Sequence, residues 1–222
     1  MKTNLFALSC CFLTVLCVCQ FAFSGMVFES STGVAGSSGA ALGDYSFAMH
    51  RFELKSQTRV GSIGGYFACS LPETTSIFGA IVMLTRQYDL PDSIDLSTSD
   101  VLATTLIDIE RTPDDYYGKI DMVLKPGWYA AAFGTGKFGA TSVPDIFRSA
   151  CPRMYHLSVD LSPQKDFVMM QPDHPYHPNK YSRVSQNYPA RFLVTTEIIP
   201  EPASMLLLGI GAMVLKRRRH NI

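Results

Sequence analysis

Asp173-His174-Pro175-Tyr176-His177-Pro178 sets two imidazoles three residues apart beside a carboxylate, donors of the kind that zinc or copper takes. The prolines deny the helix that would hold both rings on one face, and no distant third ligand stands out. The segment therefore reads as a polar, proline-rich surface loop. Asp89, Asp92, Asp95 and Asp100 line an acidic stretch whose oxygens suit calcium. Their spacing is not that of an EF-hand loop, and a solvated turn is the plainer reading. Gly134-Thr135-Gly136-Lys137-Phe138-Gly139 fits GxGxxG. A dinucleotide site needs a helix whose N-terminal amides meet the pyrophosphate. Ala140 to Pro144 shows no helical pattern, so these glycines read as a tight β-turn.

Trp128 and Tyr129 are a candidate sugar contact, since aromatic faces stack on pyranose rings. Neighbours on a strand point to opposite faces, so one of the two must turn inward, and the lone tryptophan is the expected core residue. Glu53, Glu73 and Glu110 lack a spacing that suggests the paired carboxylates of glycoside hydrolysis. There is no GxSxG, no reactive-cysteine signature, and only five histidines. The sequence leads us to expect no catalytic residue, no metal and no cofactor.

The elements that would position these residues have the period of strands. Tyr45, Phe47 and Met49 alternate with polar or small residues. Ile77 to Leu84 is a continuous apolar run of a length suited to a central buried strand, and Leu102 to Glu110 reads as another. Tyr116 to Lys125 alternates cleanly, and Pro126-Gly127 leads straight into Trp128–Phe133, which predicts a hairpin. Arg153 to Asp160 and Arg191 to Ile199 complete the set. Residues 25–44, rich in Ser, Gly and Ala, read as a flexible segment outside the core. The expected fold is all-β, an antiparallel β-sandwich of jelly-roll-like form spanning 45–199.

The two ends are of another kind. Lys2 precedes an apolar stretch from Leu5 to Phe23, and Ala22-Phe23-Ser24 supplies small residues at the −3 and −1 positions. This predicts a signal peptide over 1–24, cleaved before Gly25. At the other end Pro200-Glu201-Pro202 is followed by thirteen residues without a charge, Ala203 to Leu215, and then by Lys216-Arg217-Arg218-Arg219. As a helix the apolar stretch would rise about 20 Å, short against a hydrocarbon core of about 30 Å. The four cations form a basic stop that stays on the cytoplasmic side. Between Gly25 and Pro200 there are 14 basic and 18 acidic residues, net −4, although the whole chain is neutral. Such a balance gives no electrostatic reason to expect nucleic acid as a partner. Cys69 and Cys151 are the cysteines left after the leader. In an oxidising compartment an even pair suggests one disulfide, and two separate buried thiols are the alternative.

Motif, apolar span and basic stop, in that order over 200–219, resemble the PEP-CTERM sorting signal of exported bacterial proteins. The resemblance implies a membrane-embedded exosortase as partner, a transmembrane segment over 203–215, transient residence in the bacterial inner membrane, and delivery to the cell surface or extracellular matrix. Ile77–Val82, Leu96–Leu102, Pro126–Tyr129, Phe133–Ala140 and the Arg191–Val194 strand are similar to the bodies of uncharacterised PEP-CTERM proteins. From the family comes the expectation of a non-enzymatic, exopolysaccharide-associated role. A carbohydrate-binding module acting through Trp128 and Tyr129 is the alternative.

Overall fold

The structure, a computed structural model, describes residues 25–44, 46–69, 75–143, 152–161, 166–171, 180–183 and 190–196. Twelve strands follow in order: β1 (Met26–Glu29), β2 (Ser31–Ala41), β3 (Phe47–Leu54), β4 (Thr58–Ala68), β5 (Thr75–Leu84), β6 (Val101–Ile109), β7 (Asp114–Leu124), β8 (Gly127–Gly134), β9 (Arg153–Asp160), β10 (Phe167–Gln171), β11 (Lys180–Arg183) and β12 (Phe192–Thr195). The strand pairings are antiparallel, and no α-helix occurs among the described residues.

In the first sheet β4 is the axis. β7 pairs along one side of it, and β12 and β9 share the other, end to end. β1 then pairs with β12, and β2 with β9. Ser30 is the point where the chain changes partner. Its amide donates to the Phe192 carbonyl at 3.1 Å and its carbonyl accepts from Leu161 at 2.9 Å. Its hydroxyl donates to the Ala190 carbonyl at 2.5 Å and accepts from the Phe192 amide at 2.7 Å. Residues 25–44, expected to be a flexible segment, thus form β1 and β2 and supply one border of the sheet. Their small side chains have a use here: a Cβ on Gly39 would lie 2.5 Å from the Met154 carbonyl oxygen.

The second sheet runs β11-β10-β3-β8-β5-β6. The two sheets share a core in which Val60, Ile63, Phe67 and Phe192 of the first meet Phe52, Ile77, Ile81 and Phe133 of the second. Phe133 lies edge-on to Phe67, centroids 5.2 Å apart, and 5.5 Å from Phe192. A separate apolar cluster covers the outer face of the second sheet, where Phe78, Ala80, Val82, Ala130 and Ala132 are buried with Leu96 of the 85–100 segment. Burial on both faces accounts for the unbroken apolar runs of β5 and β8.

The expected hairpin between β7 and β8 does not form. β7 pairs with β4, whereas β8 pairs with β3 and β5, so Lys125-Pro126 crosses from one sheet to the other. A Pro-Gly step between two alternating runs marks a reversal of direction but not which neighbour each strand takes. The expected signal peptide (1–24) and transmembrane segment (203–215) lie outside the described residues. Among the described residues no helix is long and apolar enough to cross a membrane.

Candidate functional site

The acidic stretch uses its carboxylates locally. Asp89 accepts from the Thr85 amide at 2.9 Å and from the Thr85 hydroxyl, and these bonds hold it below the usual carboxylate range. Asp95 accepts from the hydroxyls of Ser93 and Ser97, which with Lys137 at 3.6 Å lower its pKa to about 2. Asp100 accepts from the Asp92 amide at 2.8 Å and the Thr98 hydroxyl at 2.6 Å. The carboxylates of Asp89, Asp95 and Asp100 therefore fix the path of the segment that lays Leu90, Ile94 and Leu96 over the second sheet. Among the described residues no group of three His, Cys, Asp or Glu side chains could hold a metal ion. The Asp173–His177 segment lies outside the described residues.

The GxGxxG run is a turn anchored on Asp44. One Asp44 oxygen accepts from the Thr135 hydroxyl at 3.0 Å and the Val143 amide at 2.7 Å, and the other accepts from Ser142. Gly136 has φ +71°, and a Cβ there would lie 2.5 Å from Asp44 Oδ1. Glycine is needed for both reasons. The run closes with the Gly136 amide donating to the Thr141 carbonyl at 3.1 Å, and no helix begins within the described residues 140–143.

Trp128 and Tyr129 lie on opposite faces of β8, and the tyrosine is the inward one. Tyr129 is 4% exposed, inside the shared core, and its hydroxyl donates to the Lys125 carbonyl at 2.9 Å. Trp128 is half-buried against the outer cluster. It borders a depression of about 400 Å³ that also takes in Glu53, Gln87, Phe28, Arg51 and Asp166. Arg51 and Asp166 form a buried pair, N to O 3.9 Å. Glu53 and Glu110 are exposed; Glu73 lies outside the described residues. Cys69 is buried, with its thiol donating to Thr75 Oγ1 at 3.3 Å. Cys151 lies outside the described residues, so the expected Cys69–Cys151 bridge does too. The nearest pairing in register is Ala68 opposite Arg153.

One polar cluster gave no sign of itself in the sequence. Arg191, at the entrance to β12, donates from Nε and Nη2 to Asp115 at 2.9 and 3.0 Å, and from Nη1 to Glu29 and, at 3.0 Å, to the Ser31 carbonyl. It ties the last described strand to β1, β2 and β7. Nothing local links residues 29, 115 and 191, so only the fold could reveal the cluster.

β12 ends at Thr195, and the chain then leads into the tail. Residues 199–219 match the PEP-CTERM protein-sorting motif. That match takes in Pro200, Glu201 and Pro202, the apolar stretch, and the basic stop Lys216, Arg217, Arg218 and Arg219. The sorting segment thus follows directly on a strand inside the sheet. A chain carrying this motif is consistent with an exosortase substrate, exported and held transiently at the membrane. No curated protein and no solved structure matches the chain.

Proposed function

We propose that the chain is an exosortase substrate whose body is a jelly-roll-like β-sandwich, delivered to the cell surface or extracellular matrix to serve there as a non-enzymatic, exopolysaccharide-associated component. The sorting motif at 199–219 carries the delivery part of this reading. Support for a structural role comes from how the polar side chains are used. Asp44, Asp89, Asp95 and Asp100 hold turns, and Arg191 joins strands. The test is fractionation of the native host expressing the full chain and a Glu201→Ala variant. The wild-type chain should co-fractionate with exopolysaccharide and the variant stay with membranes. Wild-type protein that remains in the membrane fraction would sink the reading.

A second reading, a carbohydrate-binding module, has one observation in its favour: Trp128 shares its depression with Glu53 and Gln87, groups that hydrogen-bond sugar hydroxyls. Tyr129 is buried, so only Trp128 of the original pair is left for stacking. Glycan binding lost in Trp128→Ala, with the fold kept, would favour this reading.

A further inference from the structure

The first and last described residues meet. Gly25 accepts at its carbonyl from the Thr196 amide at 2.9 Å, its own amide donates to the Thr196 hydroxyl at 3.1 Å, and Met26 pairs with Thr195. The strand registers show what else lies at that end. Thr58 is opposite Leu124, Leu54 opposite Gly127, Leu84 opposite Trp128, and Val82 opposite Val101. The β3–β4 turn, the Lys125-Pro126 crossing, the end of β5 and the start of β6 therefore share one pole, and β12, with Phe192 opposite Gly65 and Thr195 opposite Ser62, runs toward it.

Apolar side chains are exposed at that pole: Met83, Leu102 and Val123 are 36–56% exposed. Met83 and Leu102 border an open-ended gap of about 510 Å³ that reaches Trp128. Lys55, Arg86 and Lys125 lie on the same pole, with Glu53, an Asp89 already engaged by Thr85, and the Arg59–Asp121 pair. At the opposite pole lie Asp108, Glu110 and Asp114 with Arg111. The last described strand thus runs toward an end that carries both apolar and basic side chains. Apolar side chains, a tryptophan and lysines together form the side-chain set of a bilayer interface.

The geometry points to this pole as a membrane-facing surface, seated on the headgroup region while the sorting tail is inserted. The inference rests on the proposed membrane-anchored precursor. Chain length keeps the domain near the membrane. The apolar stretch begins at Ala203, seven residues beyond Thr196, and seven residues span about 25 Å at most.

Trp128 is the chain's sole tryptophan, so the full chain reports on itself. It is reconstituted into vesicles of phosphatidylethanolamine and phosphatidylglycerol whose acyl chains carry bromine near the headgroup, and insertion is read separately by flotation. Trp128 emission should fall about two-fold, since an interfacial side chain lies within 5–10 Å of that level. A second chain, Trp128→Phe with Phe138→Trp, moves the reporter to the far end of β8 and should show no loss. Lys55→Glu with Lys125→Glu should weaken the quenching and leave flotation unchanged. A chain that floats with unchanged emission, or is quenched equally from both positions, overturns the inference while leaving the tail as an anchor. Emission that responds to soluble alginate but not to the bromolipid assigns Trp128 to a glycan and also overturns it. Failure to float removes the membrane-anchored reading itself, and the inference with it.

Discussion

His50 makes the stability of this domain depend on pH. Its ring is buried between Phe28 and Phe192, with centroids 5.2 and 5.3 Å away, and its Nδ1 lies 2.9 Å from the Arg51 carbonyl oxygen. Loss of water around the charged form lowers its pKa from 6.5 to about 4; the carbonyl contact opposes this and the Arg51 charge adds to it. The folded value is below the unfolded one, so the unfolded chain takes up the proton first as pH falls. The contribution is intact above about pH 6.5 and is lost between there and about pH 4. A shift of roughly 2.5 units at 1.36 kcal/mol each is about 3 kcal/mol in total, of which about 2 kcal/mol is gone by pH 5. The carboxylates with lowered pKa, Asp89 and Asp95, act at lower pH and do not blur this window. Urea unfolding of the processed protein at pH 7, 6 and 5 measures the effect, with His50→Gln as the control that keeps a donor for the carbonyl. The wild-type protein should lose about 2 kcal/mol from pH 7 to 5, and the variant much less. Equal losses in the two proteins, or a His50 NMR titration centred near 6.5, would refute the reasoning.

Three further outcomes follow from the packing and the polar links. Arg191→Ala leaves Asp115 and Glu29 facing each other without their cation and should cost about 2 kcal/mol by denaturant unfolding, with partial recovery on adding Asp115→Asn. Gly118→Ala puts a Cβ 2.4 Å from Thr105 Cγ2 and 2.7 Å from its Oγ1 on the facing sheet; it should cost about 1–3 kcal/mol, and Thr105→Ala should restore much of that. Intact mass run reduced and non-reduced tests the expected Cys69–Cys151 bridge: a gain of one hydrogen per sulfur on reduction would establish it, and an unchanged mass would leave two separate thiols, with that of Cys69 donating to Thr75.

The parts of the fold legible in the sequence are those in which side chains alternate or run apolar together. β5, β6, β7 and β8 were visible for that reason. β4 was not, because Gly61-Ser62-Ile63-Gly64-Gly65 looks like a turn. In the fold those glycines let neighbouring strands approach: a Cβ on Gly64 would lie 2.2 Å from the Tyr116 carbonyl oxygen, and one on Gly65 2.5 Å from that of Arg191. β2 was hidden in the same way by its serines, glycines and alanines. The Pro126-Gly127 crossing misled because a turn signal is local, whereas a strand's choice of neighbour is settled by contacts some 60 residues away, as between β4 and β7. Tyr129 turned inward in place of Trp128 because its hydroxyl reaches the Lys125 carbonyl at the crossing. The sorting segment was legible in full, since its three parts are contiguous and physically distinct. The proposed membrane-facing pole was not, because it joins the ends of six strands.

The central claim is that this chain is a sorted and processed product. Intact mass of the protein purified from its native host tests it most directly. The account predicts a species lacking residues 1–24 and everything beyond the Pro200–Pro202 motif, with any extra mass identifying what the new C-terminus is joined to. A mass that still contains residues 203–222 would mean a permanent tail anchor and would contradict processing by an exosortase.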